Sequence, residues 1–160
     1  SLLTDPKFND VWGNMGLLYR MANQLDHAES TYQLALSIDD KDATTWENLA
    51  YLYSITGRQS QANTIDARIK RQRLSNPNYH FMLGETQYDQ QNWSAAIKHY
   101  RKAIKMDELQ HEFYFALAKT YFKQGDINRS KKYMRQAKKH AKGDNIETRY
   151  QSKLDRLSSL

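Results

Sequence analysis

The stretch Trp-Gly-Asn-Met-Gly-Leu-Leu-Tyr at residues 12–19 returns 34 residues later, at residues 46–53, as Trp-Glu-Asn-Leu-Ala-Tyr-Leu-Tyr. Sliding the chain by 34 residues gives four consecutive windows: 9–42, 43–76, 77–110 and 111–144. The position of the first Trp is held in turn by Trp12, Trp46, His80 and Tyr114. The small residue four places later is held by Gly16, Ala50, Gly84 and Ala118. A fixed period of this kind predicts a repeat architecture.

The spacing within each window is that of amphipathic helices. Large and small residues at i, i+3, i+4 and i+7 line one face of a helix. The second half of each window repeats a small residue that lets a partner helix approach closely: Ala28, Ala62, Ala96 and Ser130. Only 6 Gly and 2 Pro in 160 residues also favour helices over an all-β fold with many tight turns. Each window therefore predicts an antiparallel pair of helices of about 14 residues, ~21 Å long.

Turn and cap residues stand at the expected places between these helices. Residues that tolerate a positive φ lie near the middle of each window: Asn23, Gly57, Asn92 and Gly125. Side chains suited to helix N-caps are Asp42, Asn76 and Asp144, and Pro77 suits a first helical position. The second window departs most, because Asp66 replaces an aromatic residue, and its second helix is expected to run longer or pack more loosely.

This pattern resembles the tetratricopeptide repeat family, over 136 of the 160 residues. The resemblance implies an all-α, right-handed α-solenoid of antiparallel helix pairs. At the N-terminus, Leu2, Leu3 and Asp5-Pro6 predict that residues 1–8 are the remnant of a preceding repeat in a larger protein. At the C-terminus, residues 145–160 are predicted as a capping helix, with one apolar stripe formed by Ile146, Tyr150, Leu154 and Leu157.

The resemblance also implies a function, the binding of a partner protein's peptide or helix in a concave groove lined by the first helix of each pair. The side chains predicted to face that groove lie off the packed stripe of those helices. They are Asn14, Leu17, Asn48, Tyr51, Phe81, Glu85, Tyr88, Phe115, Lys119 and Phe122. Acidic residues on the same faces (Glu47, Glu85, Asp89 and Glu112) favour a neutral or partly basic, aromatic-rich ligand segment.

Two features of that set support binding. Asn14 and Asn48 occupy the same position in adjacent repeats, and an amide can both donate and accept hydrogen bonds to a peptide backbone. Several aromatic side chains on one face are typical of interfaces, although some are expected to pack between repeats. In some family members a set of Lys, Asn and Arg clamps a partner's C-terminal carboxylates. Only Asn48 fits that pattern here, which argues against such a clamp.

The chain has a formal charge of +6, concentrated in its C-terminal half. Residues 129–142 contain seven cations and no acid: Arg129, Lys131, Lys132, Arg135, Lys138, Lys139 and Lys142. This basic patch leaves open an alternative function, binding of nucleic acid or an anionic membrane surface by neutralisation of phosphates. Only Tyr133 accompanies the run, and no RNA-reading motif is present, so nucleic acid is the less favoured partner.

No catalytic chemistry is predicted from these residues. The chain has no Cys, its five His form no metal-binding spacing, and it has no Gly-rich phosphate loop. We therefore expect no enzymatic activity, metal or cofactor, although these residues could be the regulatory or docking region of an enzyme whose catalytic domain lies upstream. No apolar run is long enough for a membrane span, so we expect a soluble protein, cytoplasmic or periplasmic, of unknown oligomeric state.

Overall fold

The structure, a computed structural model, describes residues 8–159. Within these residues the chain forms nine α-helices and no strand, which confirms the all-α prediction. The helices are α1 Asn9–Met21, α2 Leu25–Ile38, α3 Ala43–Ile55, α4 Gln59–Leu74, α5 Pro77–Asp89, α6 Trp93–Met106, α7 His111–Lys123, α8 Ile127–His140 and α9 Asp144–Ser158. Each 34-residue window contains one helix pair. The predicted remnant of a preceding repeat lies almost wholly outside the described residues.

The chain divides into two compact units that meet in sequence between Gln72 and Arg73. Unit 1 holds α1 to α3 and most of α4, and unit 2 holds α5 to α9. Within each unit, consecutive helices pack against each other, and the first helices of neighbouring pairs, α1 with α3 and α5 with α7, also touch.

The closest packing within a helix pair is between a glycine of the first helix and a tyrosine of the second. In unit 1, a Cβ added to Gly16 would stand 2.5 Å from Cε1 of Tyr32, and in unit 2 one added to Gly84 would stand 2.6 Å from Cδ1 of Tyr100. Both tyrosines are completely buried. A missing methyl group on the first helix is thus what makes room for the ring of the second.

The other two windows use a different pair of residues at these positions. Ala118 stands where Gly84 does, and Met134 stands where Tyr100 does; both are buried in the same core cluster. In the second window Ala50 is buried, whereas Asp66, in the tyrosine position, is exposed. Glycine therefore accompanies tyrosine, and alanine accompanies a side chain without a ring.

The second window also shows the longer helix that its sequence predicts. Helix α4 has 16 residues, against 13 or 14 in the other paired helices, and buries Ala62, Ile65 and Ile69. Trp46 of α3 is half buried, as Trp12 is in the first window, and it has polar partners. Its Nε1 donates to the carbonyl of Asp40 over 2.8 Å, and Arg68 stacks on its ring at 4.5 Å.

A residue with positive φ ends the first helix of each pair at the same repeat position. It is Asn23 (φ 58°), Gly57 (75°), Gln91 (61°) and Gly125 (78°). The prediction of Asn92 was wrong by one residue. Asn92 instead precedes α6 as its N-cap, and the strained position falls on glutamine, which the composition of the turn does not suggest.

Two of the three predicted N-caps are present. Asp42 accepts from the backbone N–H of Thr44 over 3.0 Å, and Asn76 accepts from that of Asn78 over 2.9 Å. Asp144 is not a cap, because α9 begins at Asp144 itself and Gly143, with φ 108°, is the residue before it. The capping helix therefore starts one residue earlier than predicted. It buries Tyr150, Leu154 and Leu157 in one cluster with α7 and α8, as its stripe predicts.

A pair of histidines joins α5 to α6 in unit 2. His80 is buried; its Nε2 donates to the carbonyl of Leu74 over 3.0 Å, and its ring stacks on His99 with centroids 6.3 Å apart. Burial, and then the neighbouring His80, Lys98 and Lys102, lower the pKa of His99, because each disfavours its charged form.

Substituting Gly84 tests the close packing of unit 2. Gly84→Ala should destabilise the protein by about 1–3 kcal/mol through overpacking, even though alanine is the better helix former by about 1 kcal/mol. Gly84→Ala/Tyr100→Met recreates the pair Ala118 and Met134, and should be clearly more stable than the sum of its single changes. Urea unfolding of the four proteins measures this coupling, and additive effects would contradict the packing argument.

Substituting Gln91 tests the strained turn. Gln91→Gly should stabilise the protein by about 0.5–1 kcal/mol, because relief of the left-handed backbone of about 1–2 kcal/mol exceeds the entropy cost of glycine. Gln90→Gly, one residue earlier at φ −79°, is the control and should destabilise slightly. The free energies of unfolding decide it, and equal effects of the two changes would count against strain at residue 91.

Lowering the pH tests the environment of His99. Its folded pKa lies below the ordinary value of about 6.5, so between that pH and the folded pKa the unfolded chain binds more protons. Neutral His99 therefore makes its full contribution to the free energy of unfolding above about pH 6.5. This contribution is lost as the pH falls through the folded pKa. Thermal unfolding between about pH 7 and pH 5 should show this loss, and His99→Gln should reduce it. An unchanged slope in the variant would assign the loss to other groups.

Candidate partner-binding surfaces

The predicted groove residues of unit 1 lie on α1 and α3. Asn14 is exposed and Asn48 is half buried, and neither side chain has a hydrogen-bond partner among the described residues. Leu17, three residues after Asn14 on α1, is half buried. The ring of Tyr51 is exposed at 53%, with the guanidinium of Arg20 stacked on it at 4.7 Å. This α1–α3 surface therefore offers two unused amides beside a partly covered aromatic ring.

The predicted groove residues of α5 contact one another and α7 more than solvent. The hydroxyl of Tyr100 donates to Glu85, whose other oxygen lies 3.8 Å from Nζ of Lys119. The same Nζ lies 4.0 Å from the ring centroid of Tyr88. Burial has the largest effect on the pKa of Tyr100 and raises it, and the Glu85 carboxylate raises it further. The hydroxyl of Tyr100 therefore keeps the proton that it donates to Glu85. These side chains, although predicted as groove residues, already hold α5 to α6 and α7.

Phe81 lies deeper than a free groove residue would. Its ring is half buried and contacts the rings of Phe113 and Tyr100, with centroids 5.0 Å and 5.7 Å apart. It belongs to the aromatic residues that pack between repeats, as was expected of some of this set. Of the acidic residues expected in the groove, Glu85 is engaged as described, and one carboxylate oxygen of Glu112 lies 3.2 Å from Nε2 of the neighbouring His111.

The predicted residues of α7 line a cleft with α8 and α9. Phe115 is half buried and contacts the ring of Tyr150, with centroids 5.4 Å apart, and Phe122 is exposed at 44%. The cleft has a volume of about 340 Å³. It is lined by Phe115, Lys119, Phe122, Ser130, Met134, Lys153, Arg156 and Leu157. Sequence reasoning found the three residues of α7 but missed the two cations of α9, which flank the apolar stripe of the capping helix.

The basic patch lies on α8 and at its end. Several of its cations are engaged: Arg129 pairs with Asp126 at 2.7 Å, and Lys138 donates to Gln151 over 2.9 Å. The only aromatic side chain within the run, Tyr133, stacks on Tyr121 inside unit 2, with centroids 5.5 Å apart, so it is not offered to a nucleic acid base. The exposed cations of this patch are Arg129, Lys132, Arg135, Lys139 and Lys142.

An apolar stripe on α1 was not predicted. Met15 holds the same repeat position as Leu49 and Leu117, which are buried. In the structure Met15 is 39% exposed, and Val11 and Leu18 on the same helix are more exposed still. Val11, Met15 and Leu18 therefore form an exposed apolar stripe on α1.

Metal-binding groups and membrane-spanning helices are both absent from the part of the chain that the structure describes. Within residues 8–159, no three His, Asp or Glu side chains are grouped so that they could hold a metal ion. None of the helices α1 to α9 combines the length and hydrophobicity that crossing a bilayer requires.

Known proteins were compared with the chain. "Superkiller protein 3" of Schizosaccharomyces pombe is 23% identical over an alignment of 133 residues that covers 78% of this chain. The chain spans about a tenth (10%) of the length of that relative.

Two solved structures with the same fold cover nearly all of the chain. One is "MamA RS-1 ArsTM double mutant", with a TM-score of 0.52, 13% identity and coverage of 97% of this chain and 84% of that one. The other is a chain of the "APC/C hetero-tetramer Cut9-Hcn1", with a TM-score of 0.51, 15% identity and coverage of 96% of this chain and 30% of that one. At these identities the likeness shows the fold.

Family models match three stretches of the chain. The model described as "TPR repeat" matches residues 84–125, and that described as "Tetratricopeptide repeat" matches residues 10–42 and 111–140. Together they cover more than half of the sequence, and the internal stretch that they leave out, residues 43–83, includes the second window, which departs most from the pattern. The repeats, their helix pairs and these matches agree, and the chain belongs to the tetratricopeptide repeat family.

Proposed function

We propose that this chain is a protein-interaction scaffold that holds an extended or helical segment of a partner protein on the first helices of its repeats. Tetratricopeptide repeats are generally scaffolds for protein–protein interaction and typically not catalytic. The finer claim, that the α1–α3 surface of unit 1 is one place of contact, comes from the side chains of this chain.

The observation that carries the proposal is the pair of unpartnered amides, Asn14 and Asn48, at equivalent positions of adjacent repeats. Each amide can donate to a carbonyl and accept from an N–H of a ligand backbone. Backbone groups recur along any peptide, so amides repeated from one helix pair to the next suit a peptide of varied sequence. A ligand bound in this way replaces water on groups that the fold itself leaves unused.

Tyr51 supplies the apolar part of the same surface. Tyrosine is among the residue types enriched at the energetic centres of interfaces, since it combines a large apolar ring with a polar hydroxyl. Here the ring is 53% exposed, and Arg20 restricts one of its faces at 4.7 Å. The restriction lowers the conformational entropy that Tyr51 loses when a partner binds.

The length of the matched relative supports a role for these repeats within a larger protein. The matched relative is about ten times longer than the matched region, and repeat arrays commonly act as one arm of a larger assembly. We therefore propose that these repeats serve as an adaptor or docking arm, through which a longer protein recruits its partner.

Removing the amide and the ring of α3 together tests the proposal. Asn48→Ala/Tyr51→Ala should weaken partner binding by about tenfold or more, because it removes a backbone hydrogen-bonding group and an aromatic anchor. Affinity capture from nuclease-treated lysate of the source cells, quantified by mass spectrometry, compares this variant with the wild-type chain. Circular dichroism first establishes that both are folded.

The control variant removes amides elsewhere in unit 1. Gln59→Ala/Asn63→Ala deletes an exposed, mutually hydrogen-bonded amide pair on α4, away from α1 and α3. Its captured proteins should match those of the wild type. Equal capture by Asn48→Ala/Tyr51→Ala and the wild type would remove the α1–α3 surface from the proposal.

A further inference from the structure

The cleft between α7, α8 and α9 has apolar walls and a basic rim. Its floor contains Met134 and Leu157, which are 5% and 7% exposed, and one wall is the half-buried ring of Phe115. At about 340 Å³ it lies at the small end of ligand pockets, which measure ~300–1,000 Å³. That volume holds one large side chain, and a longer ligand must continue over the rim.

The charges on the rim are all positive. Lys119, Lys153 and Arg156 line the cleft, and no acidic residue is among its lining side chains. Lys119 is partly neutralised by Glu85 at 3.8 Å. Lys153 and Arg156 have no carboxylate partner among the described residues; Nζ of Lys153 lies 5.5 Å from the ring centroid of Phe115. Two cations of α9 are therefore free to pair with an anion.

Ser130 is a further polar group of this cleft that the fold does not require. It is 1% exposed, and its hydroxyl has no hydrogen-bond partner among the described residues. The equivalent positions of the other three windows are Ala28, Ala62 and Ala96, which pack equally well without a hydroxyl. Such an unused buried donor is unfavourable unless something pairs with it.

We propose that this cleft binds an acidic peptide segment of a partner protein, with a large apolar side chain between Phe115 and Leu157 and flanking carboxylates at Lys153 and Arg156. It rests on the proposed scaffold function and adds the chemistry of a second contact, in unit 2. The neutral or partly basic ligand expected from sequence does not suit this end of the chain, because Lys153 and Arg156 of α9 line the cleft. The apolar walls favour a peptide side chain over a phosphate backbone, which offers no such group.

Direct titration with defined peptides tests the proposal. The probe is a fluorescein-labelled, end-capped peptide with a central Phe and two Glu on each side. Comparison peptides replace all Glu with Gln, or the Phe with Ala. Anisotropy with the whole chain at low salt should show the Glu/Phe peptide binding about tenfold or more tightly than either comparison, because each lacks one half of the recognition.

Variants of α9 place the binding. Lys153→Glu/Arg156→Glu should weaken the Glu/Phe peptide by about tenfold or more, and Lys153→Gln/Arg156→Gln by less. The matched control is Arg135→Glu/Lys139→Glu, which makes the same change of charge on exposed residues of α8 that do not line the cleft. It should retain affinity within about threefold, since the effect of distant charges is screened.

Methionine methyl groups report the site independently. With ¹³C-methyl methionine, the peptide should shift the resonance of Met134 in the cleft floor, and leave Met15 and Met21 of α1 unmoved. An unshifted Met134, equal binding of the Gln peptide, or equal loss in the α8 control would overturn the proposal. Displacement of the peptide by poly(U) RNA from the wild type and the α9 variants alike would also overturn it, in favour of nucleic acid.

The same peptides separate this proposal from the previous one. Asn48→Ala/Tyr51→Ala should bind the Glu/Phe peptide as the wild type does, because its changes lie in unit 1. If the peptide does not bind but Asn48→Ala/Tyr51→Ala loses captured partners, only the cleft proposal is contradicted. If the peptide binds but Asn48→Ala/Tyr51→Ala captures the same proteins as the wild type, only the proposal for the α1–α3 surface is contradicted.

Discussion

The contact on which each repeat depends is the approach of the first helix to the second at one position. Where the second helix presents Tyr32 or Tyr100, the first must be without a Cβ, at Gly16 or Gly84, because an added methyl group would overlap the ring. Where the ring is absent, alanine fills the space. This exchange of volume fills the space between the paired helices while the residue types vary, since protein interiors tolerate neither voids nor overlap. It also explains why the 34-residue period survives substitutions that would otherwise hide it.

The second window shows what happens when the exchange is incomplete. Asp66 is exposed, and α4 buries Ile65 and Ile69 instead. Trp46 of α3 contacts Arg68 and a backbone carbonyl. Polar contacts at the surface replace part of an apolar core there. Such contacts contribute less than buried packing because water competes for them. The family models leave out this window, and the boundary between the two compact units, between Gln72 and Arg73, falls near its end.

How much could be predicted from the sequence depends on whether a feature recurs. Helix pairs, the N-caps Asp42 and Asn76, and the apolar stripe of α9 all follow from local spacing, and the structure shows them. Contacts between long side chains of different helices do not recur from one repeat to the next. Glu85, Tyr88 and Lys119 were predicted to face the groove, and in the structure Lys119 of α7 contacts both Glu85 and Tyr88 of α5. That outcome depends on long flexible side chains from separate helices meeting, which no period encodes. The positive φ of Gln91, too, is imposed by its place in the turn and not by its residue type.

The binding chemistry is expected to come from side chains that the packing of the repeats leaves unused. In unit 1 these are the neutral amides of Asn14 and Asn48, which match any peptide backbone. In unit 2 the aromatic and acidic candidates of α5 are largely consumed by internal contacts, and the unused groups are the cations of α9. A partner with uncharged backbone contacts at one segment and an acidic, apolar segment at another would satisfy both sets. Amides hold a backbone with little dependence on side chains, whereas cations beside an apolar pocket discriminate by charge. Selectivity is thus expected to reside in the α7–α9 cleft, while the α1–α3 surface adds affinity with little preference for sequence.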